Sequence, residues 1–530
     1  MLYGLEFKSS QPILPSVSQR TDVACFIGFV DRCPLTPDQK LPPALYSWFT
    51  DQGWVDGIYA RSPSDLLTLL DIPVPIQSWN EFTELFAPNT RDWTGRGDKG
   101  STYLVAAVRS FFAAGGRKCY VVRVDAPRQG LDQAATRLEQ IKKLIPNYPN
   151  SISCSAVNPQ SWRGIGHLLG LTDVSFVALP DLPDLVQADL QAFTTKLLPP
   201  LPLPEQFVEC SQPTSSPMDF NLRALPAPQC DLNDYKLWAQ VIHQIGEFLA
   251  TRRSGSTMLR EIQLVATVPL PIADAAQNLR KALDPYLSKT LSQDKSGLAS
   301  AFIQLVYPWV QTEFSRRLPA GLEPSEGLLV GILAHNALTR GTFRSAASQP
   351  MLGVKQIFPE LERSQIYTSV SEDGKKSSTN LLDRVSIIGY TPKGLRLLSD
   401  VTTSLDQDYR PACLNRLMSA IVRMARHTGE IAVFEASNER LWADIRSNLE
   451  TLLLGFWNAG ALLGNRPTEA FTVQCDRITM TQADIDNGRV IAQVTFTPAQ
   501  PISQIAVMLT VTQSGVDLAP ARQFTLQEAA

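Results

Sequence analysis

No stretch of this chain approaches the roughly 20 consecutive apolar residues that a membrane-spanning helix needs. The longest apolar runs, such as Leu328–Leu333, stop far short. Met1–Lys8 lacks a basic stretch followed by an apolar run, so no secretory leader is expected and the protein is read as cytoplasmic. Charge is also scarce. Only 19% of the 530 residues are Asp, Glu, Lys or Arg, below the usual quarter, and the net charge is −3. That balance gives no basic footprint for nucleic acid and no polybasic membrane patch, so neither partner is expected. A low charge density suits a protein that buries much of its surface in partners.

The usual catalytic signatures are missing as well. There is no G-x-S-x-G elbow, no G-x-x-x-x-G-K-[ST] phosphate loop and no H-E-x-x-H. The eight cysteines (Cys25, Cys33, Cys119, Cys154, Cys210, Cys230, Cys413, Cys475) form no C-x-x-C pair. Several lie in apolar strand-like runs, which reads as buried free thiols rather than disulfides or metal ligands. The four histidines, His167, His243, His335 and His427, are far apart and lack ligand spacing. No catalytic residue, metal or cofactor is therefore expected. One motif does match a fingerprint: Gly95-Arg-Gly97-Asp-Lys-Gly100 fits G-x-G-x-x-G and precedes a helix. No buried strand feeds into it, so a turn is the simpler reading, with an α/β nucleotide-binding enzyme as the rival.

What the chain does have is apolar content, 44%, enough for two or three packed domains. Buried strands are predicted at Val23–Val30, Cys119–Val124, Val174–Leu179, Ile262–Val268 and Phe302–Val306. Helices are predicted at Ser101–Ala114, closed by Gly115-Gly116, and at Asn233–Arg252, where Tyr235, Trp238, Val241, Ile242, Ile245, Phe248 and Leu249 keep one apolar face. The alternation argues for a layered α/β core with a partly parallel sheet over residues 21–30 and 98–350. Residues 31–97, rich in Pro, Trp and Gly, read as a small inserted irregular domain. Residues 198–230, with eight prolines in Leu198–Cys230, read as a surface insertion, and Ser371–Asn380 as an exposed turn.

The last third reads as α+β. A helix is predicted over Asn438–Gly464 and strands over Ala470–Cys475 and Arg489–Thr497. Between those strands Thr481-Gln-Ala-Asp484 has the form of a capping box. Both ends of the chain alternate like half-buried strands: Tyr3, Leu5 and Phe7 within residues 1–20, and Ile505, Val507, Leu509 and Val511 within 501–530. Neither shows a local partner. Proline-bearing joints, Pro12 and Pro15 at one end and Pro498 and Pro501 at the other, separate them from the body.

Three blocks resemble the contractile phage tail sheath family. The first is Tyr103-Leu-Val-Ala-Ala-Val108, Phe111-Phe112, Gly115-Gly116 and Cys119-Tyr-Val-Val-Arg-Val124. The second is Tyr307-Pro-Trp309, Glu323-Pro-Ser-Glu-Gly327, Gly331, Thr339-Arg-Gly341 and Ala346-Ala347. The third is the most specific: Phe434-Glu435, Arg440-Leu-Trp442, Leu454–Ala461, Glu469-Ala-Phe471, Cys475-Asp476, Thr479-Met-Thr-Gln482 and Asp484-Ile-Asp-Asn-Gly-Arg489. Phe358–Tyr390 departs from the family, giving Ile387-Ile-Gly-Tyr390 where a Trp-Gly strand is usual.

The resemblance implies a non-enzymatic subunit that polymerises helically around an inner tube and contracts. Its partners would be copies of itself, the inner tube protein, and baseplate and cap proteins. It implies a C-terminal sheath domain at 351–500 and terminal strands that join a neighbour's sheet. It also implies that the helix Asn438–Gly464 faces the tube with Glu439, Arg440, Arg446 and Glu450. A baseplate- or cap-proximal paralogue present in few copies is the rival within the family.

Overall fold

The computed structural model describes residues 20–499, apart from 35–40, 58–59, 96, 98, 130–133, 189–221, 251–256, 273–278, 362–365, 367–380, 433–434, 436–437 and 487–488, together with the backbone of 508–512 and 515–519. Tyr3, Leu5, Phe7, Ile505 and Val507, nearly all of the Pro-rich insertion and the 371–380 turn lie outside the described residues.

The body is built on one sheet of eight described strands. They are β1 (Val23–Phe29), β2 (Pro73–Ile76), β3 (Cys119–Asp125), β4 (Val174–Ala178), β5 (Gln263–Thr267), β6 (Ile303–Tyr307), β7 (Val385–Thr391) and β8 (Gly394–Leu397). Their spatial order is β8-β7-β6-β5-β4-β1-β3-β2. The six inner strands run parallel, and each edge strand is antiparallel to its neighbour. Inner strands covered on both faces need apolar side chains at every position. That is why β1 is Val-Ala-Cys-Phe-Ile-Gly-Phe and wholly buried. Val23, Cys25, Ile27 and Phe29 join one core cluster, while Ala24 and Phe26 join the cluster on the opposite face.

Helix α1 (Tyr103–Ala113) starts where the Thr102 hydroxyl accepts from the Val105 N–H, and it ends before Gly115 at φ +103°. Helix α2 (Leu232–Ala250) lays Tyr235, Trp238, Val241 and Ile242 into the first cluster. Helix α3 (Glu326–Thr339) packs closely on α1: a Cβ on Gly327 would lie 2.4 Å from the Ala107 Cα, and one on Gly331 2.6 Å from the Phe111 carbonyl oxygen.

Residues 31–97, expected as a separate inserted domain, share this core. They supply β2, and Leu45, Phe49, Trp54, Leu66, Phe82 and Phe86 lie in the second cluster. Prolines at two of its four positions hid β2 from the sequence reading, and Pro in a sheet is confined to edges. The divergent Phe358–Tyr390 stretch ends in β7, whose Ile387 and Ile388 are buried on the two faces.

Beyond residue 400 the chain leaves the sheet through α4 (Ala412–Ala432). The first half of α4 is held to the body: Arg416 makes a bidentate pair with Asp400 (3.1 and 2.6 Å), and Asn415 Nδ2 donates to the Ala301 carbonyl (2.7 Å). Leu417 and Ile421 of the same helix enter a smaller core with α5 (Glu439–Asn458) and the hairpin β9 (Phe471–Gln474) and β10 (Gln493–Phe496).

Candidate assembly surface

The C-terminal unit is held by few contacts. Leu417 and Ile421 of α4 meet Leu449 and Leu453 of α5, and Val473 of β9 closes the cluster. Asn438 starts α5 by accepting the Leu441 N–H (2.9 Å). The helix ends at Asn458, six residues before the Gly464 limit read from the sequence. Gly460 is left-handed (φ +77°), and the Ala461 N–H reaches back to the Phe456 carbonyl (2.9 Å) while the Gly460 N–H meets that of Trp457 (2.9 Å). This pair of bonds is a Schellman termination. Apolar residues continue past it (Ala461, Leu462), which is why periodicity overran the end.

The hairpin pairs Phe471 with Phe496 and Val473 with Val494 on the side facing α5, and Thr472 with Thr495 on the polar side. Its connection carries the expected capping box: Thr481 N–H donates to Asp484 Oδ2 (3.1 Å) and Asp484 N–H to Thr481 Oγ1 (3.2 Å). The Thr497 N–H donates to Ala470 O (2.9 Å), which fixes the ladder phase. By antiparallel alternation, the N–H and C=O of Phe471, Val473, Val494 and Phe496 point to the outer edges of the hairpin. No described strand occupies either edge.

The edges of the large sheet are treated differently. Beside β8, Ser348 N–H donates to Leu397 O (2.7 Å), Leu397 N–H to Gln349 O (3.1 Å) and Met351 N–H to Leu395 O (3.1 Å), so a passing segment covers that edge. At the other edge, Pro73 and Pro75 remove donors from β2. Of these two sheets, the β9–β10 hairpin is the one whose outer edges no described strand or segment is seen to cover.

Leu509 and Val511 lie in β11 (Met508–Thr512), which pairs antiparallel with β12 (Gly515–Ala519). The sequence reading expected no local partner for this strand, but one lies just downstream in the same chain. On α5, Glu439 faces Arg477 (3.3 Å) and Arg446 faces Glu450 (3.9 Å), all four well exposed, while Arg440 lines the groove between α4 and α5 with Ile431 and Asp444. Pairs of this kind contribute about 0–1 kcal/mol each.

The places where an α/β enzyme would bind its ligand are occupied by the chain itself. At the Gly95–Gly100 turn the Asp92 carboxylate accepts from the N–H groups of Thr94 (3.1 Å), Gly95 (2.8 Å) and Gly97 (2.7 Å). The turn closes a short hairpin, 91–92 against 99–100, instead of following a buried strand. Open α/β sheets take ligands at the carboxyl ends of the strands where the order reverses, here between β1 and β4. Asp181 fills that crevice and accepts from the N–H groups of Phe29 (2.8 Å) and Leu104 (3.1 Å). A Cβ on Gly28 would lie 2.4 Å from its Oδ2, so only glycine leaves room for the carboxylate. Asp184, also buried, binds Arg91 (2.7 and 3.3 Å) and Arg128.

Burial pushes Asp181 up to about 6 against its two backbone donors. Burial also raises Asp184, but Arg128 and Arg91 outweigh it and hold the group at about 2. The sequence reading missed this network because the donors lie 56 to 152 positions from the carboxylates they serve and share no motif with them. Among the described residues no three His, Cys, Asp or Glu side chains converge as metal ligands, and Cys25, Cys119, Cys230, Cys413 and Cys475 are buried thiols. No helix among them is long and apolar enough to cross a membrane.

Residues 404–512 match the family model of the phage tail sheath C-terminal domain. The whole chain resembles solved structures of the anti-feeding prophage. For its baseplate in the contracted state the TM-score is 0.57 at 17% identity, covering 97% of this chain and 99% of the other. For its helical sheath in the contracted state the TM-score is 0.53 at 18% identity, covering 96% and 98%. No curated protein sequence matches the chain. Residues 404–512 are therefore similar to the phage tail sheath C-terminal domain, and the fold as a whole is similar to that of the anti-feeding prophage sheath over nearly its whole length.

Proposed function

We propose that the chain is the repeating subunit of a contractile sheath, assembled in the cytoplasm around an inner tube and anchored at a baseplate. The observation that carries the reading is the contrast between sheet edges. The large sheet is closed by a covering segment and by Pro73 and Pro75, whereas the two-stranded β9–β10 sheet keeps both outer edges free of described strands. Two strands alone are marginal in water, and strands donated by neighbours would complete the sheet. Each added strand brings roughly four to six backbone hydrogen bonds at about 0.5–1.5 kcal/mol net apiece. The alternating segments around Tyr3–Phe7 and Ile505–Val511 are the donors, and their proline joints let them stay bound while the bodies turn. The exposed side of α5, with Glu439, Arg440, Arg446 and Glu450, supplies weak charge contacts to the inner tube.

Contraction then draws on the difference between two packings of one fold, with no nucleotide consumed. The experiment is electron microscopy of full-length protein beside a version ending at Pro501. Tubes from the first and none from the second support strand linkage; tubes from both contradict the C-terminal donor. A subunit confined to the baseplate is the second reading, favoured by the likeness to the anti-feeding prophage baseplate. It is marked by assembly only in the presence of baseplate proteins.

A further inference from the structure

Helix α4 runs beneath the amino-terminal ends of the sheet strands in spatial order. Asn415 and Arg416 reach the β6 end through Ala301 and the Asp400 carboxylate. Arg423 and Arg426 then reach Glu261, just before β5. Arg423 goes furthest. It is 3% exposed, and its guanidinium is used on every side. Nε donates to Glu261 Oε2 (3.1 Å) and Nη2 to the Val174 carbonyl at the start of β4 (2.6 Å). Nη1 serves the Asp173 carbonyl (3.1 Å), Ser175 Oγ (2.9 Å) and the Arg20 carbonyl (2.5 Å). Arg20 stands two residues before the buried Asp22 that leads into β1, and it chelates Asp22 at 3.0 and 2.6 Å. The point where the N-terminal segment enters the body, 403 positions away in sequence, is thus fastened to the helix that carries the C-terminal domain.

We infer that Arg423 is a positioning residue that couples the root of the N-terminal segment, at Arg20, to α4 and through it to the C-terminal domain. Resting on the sheath reading, this makes it the junction through which tension entering by a linked N-terminal strand passes to the subunit's own β9–β10 sheet. A purely packing role would need neither the fork nor the shared carbonyls. An ammonium at this position, a compact point charge, cannot serve Glu261, Val174 and Arg20 together.

The test uses full-length protein carrying Arg423→Lys, and separately Ser175→Ala, which removes a single acceptor and leaves the buried charge paired. Amide hydrogen exchange is followed at residues 21–24, at 413–426 and, as an internal reference, in β6. Arg423→Lys is expected to speed exchange at 21–24 and 413–426 together, by roughly tenfold or more, with β6 unchanged. Ser175→Ala is expected to do the same by about threefold, the loss of one hydrogen bond. If Arg423→Lys fails to fold, the Ser175→Ala result decides. Unchanged exchange at 21–24, or a uniform rise that includes β6, overturns the coupling. Tubes of the lysine variant are expected to break under shear that wild-type tubes survive; equal survival overturns the tension role. If wild-type protein forms no tubes, the sheath reading fails, while the exchange result still decides whether Arg423 joins the two segments.

Discussion

Thr267 and Glu326 exchange hydrogen bonds in both directions: the Thr267 N–H donates to Glu326 Oε2 (2.5 Å), and the Glu326 N–H donates to Thr267 Oγ1 (3.0 Å). The carboxyl end of β5 is thereby locked to the first turn of α3. Burial pushes the Glu326 carboxyl up to about 7, against the bonds from Thr267 and with a further rise from Asp181. A raised carboxyl keeps its proton in the folded state where the unfolded chain has lost it. Its contribution to stability is therefore complete below about 4.5 and is lost as pH rises through about 7. Glu326→Gln keeps an oxygen for Thr267 and removes the titration. Thermal unfolding from pH 5 to 8 is expected to show a flatter profile for the variant, with a relative gain at pH 8 on the order of 2 kcal/mol. A parallel profile would show that Glu326 does not titrate in this window.

Asp184 works with the opposite sign. Arg128 and Arg91, outweighing burial, hold it at about 2, so its contribution is present above about 3.8 and is lost as pH falls through about 2. Asp184→Asn leaves two buried guanidinium groups without their shared carboxylate. Breaking a buried pair in this way costs about 3–5 kcal/mol. Urea unfolding at neutral pH checks the loss, and a change within 1 kcal/mol would deny the cluster its structural role.

The contact of α1 with α3 admits no extra methyl. A Cβ at Gly327 or Gly331 would press on backbone atoms of Ala107 or Phe111 at 2.4 and 2.6 Å, and backbone in a packed helix does not yield as a side-chain tip can. Gly327→Ala and Gly331→Ala are each expected to destabilise by about 1–3 kcal/mol despite alanine's better helix propensity. Denaturant midpoints measure this; stabilisation would mean that the helices part freely.

Reversing charge on α5 separates folding from the proposed tube contact. Arg440→Glu with Arg446→Glu changes exposed groups, so unfolding should shift by no more than about 0.5 kcal/mol per site. Co-sedimentation with inner tube protein is expected to fall sharply at low salt. Unchanged co-sedimentation would move the tube contact to another face.

Much of the body was legible because its inner strands are buried on both faces and so read as unbroken apolar runs: Val23–Phe29, Val174–Ala178 and Ile303–Tyr307 lie within a residue or two of where periodicity puts them. The capping box at Thr481 was legible because its two residues are neighbours in sequence. What stayed hidden was long-range or locally contradictory. Strand β2 carries two prolines, α5 stops at a glycine inside an apolar run, and β12 follows β11 as a hairpin partner. The polar network of Asp181, Asp184, Arg91 and Arg128, and the Arg423 junction, join residues tens to hundreds of positions apart. A lone Asp or Arg in a sequence does not announce that it will be buried. The open edges of β9–β10 could be inferred only once the other edges were seen to be closed.

Electron microscopy of the purified full-length protein, alone and with a candidate inner tube protein, decides whether this chain is a self-assembling sheath subunit. Helical tubes or sleeves with a regular subunit repeat are the expected result. Protein that remains monomeric at every concentration, with the tube present as well as absent, would contradict the sheath reading.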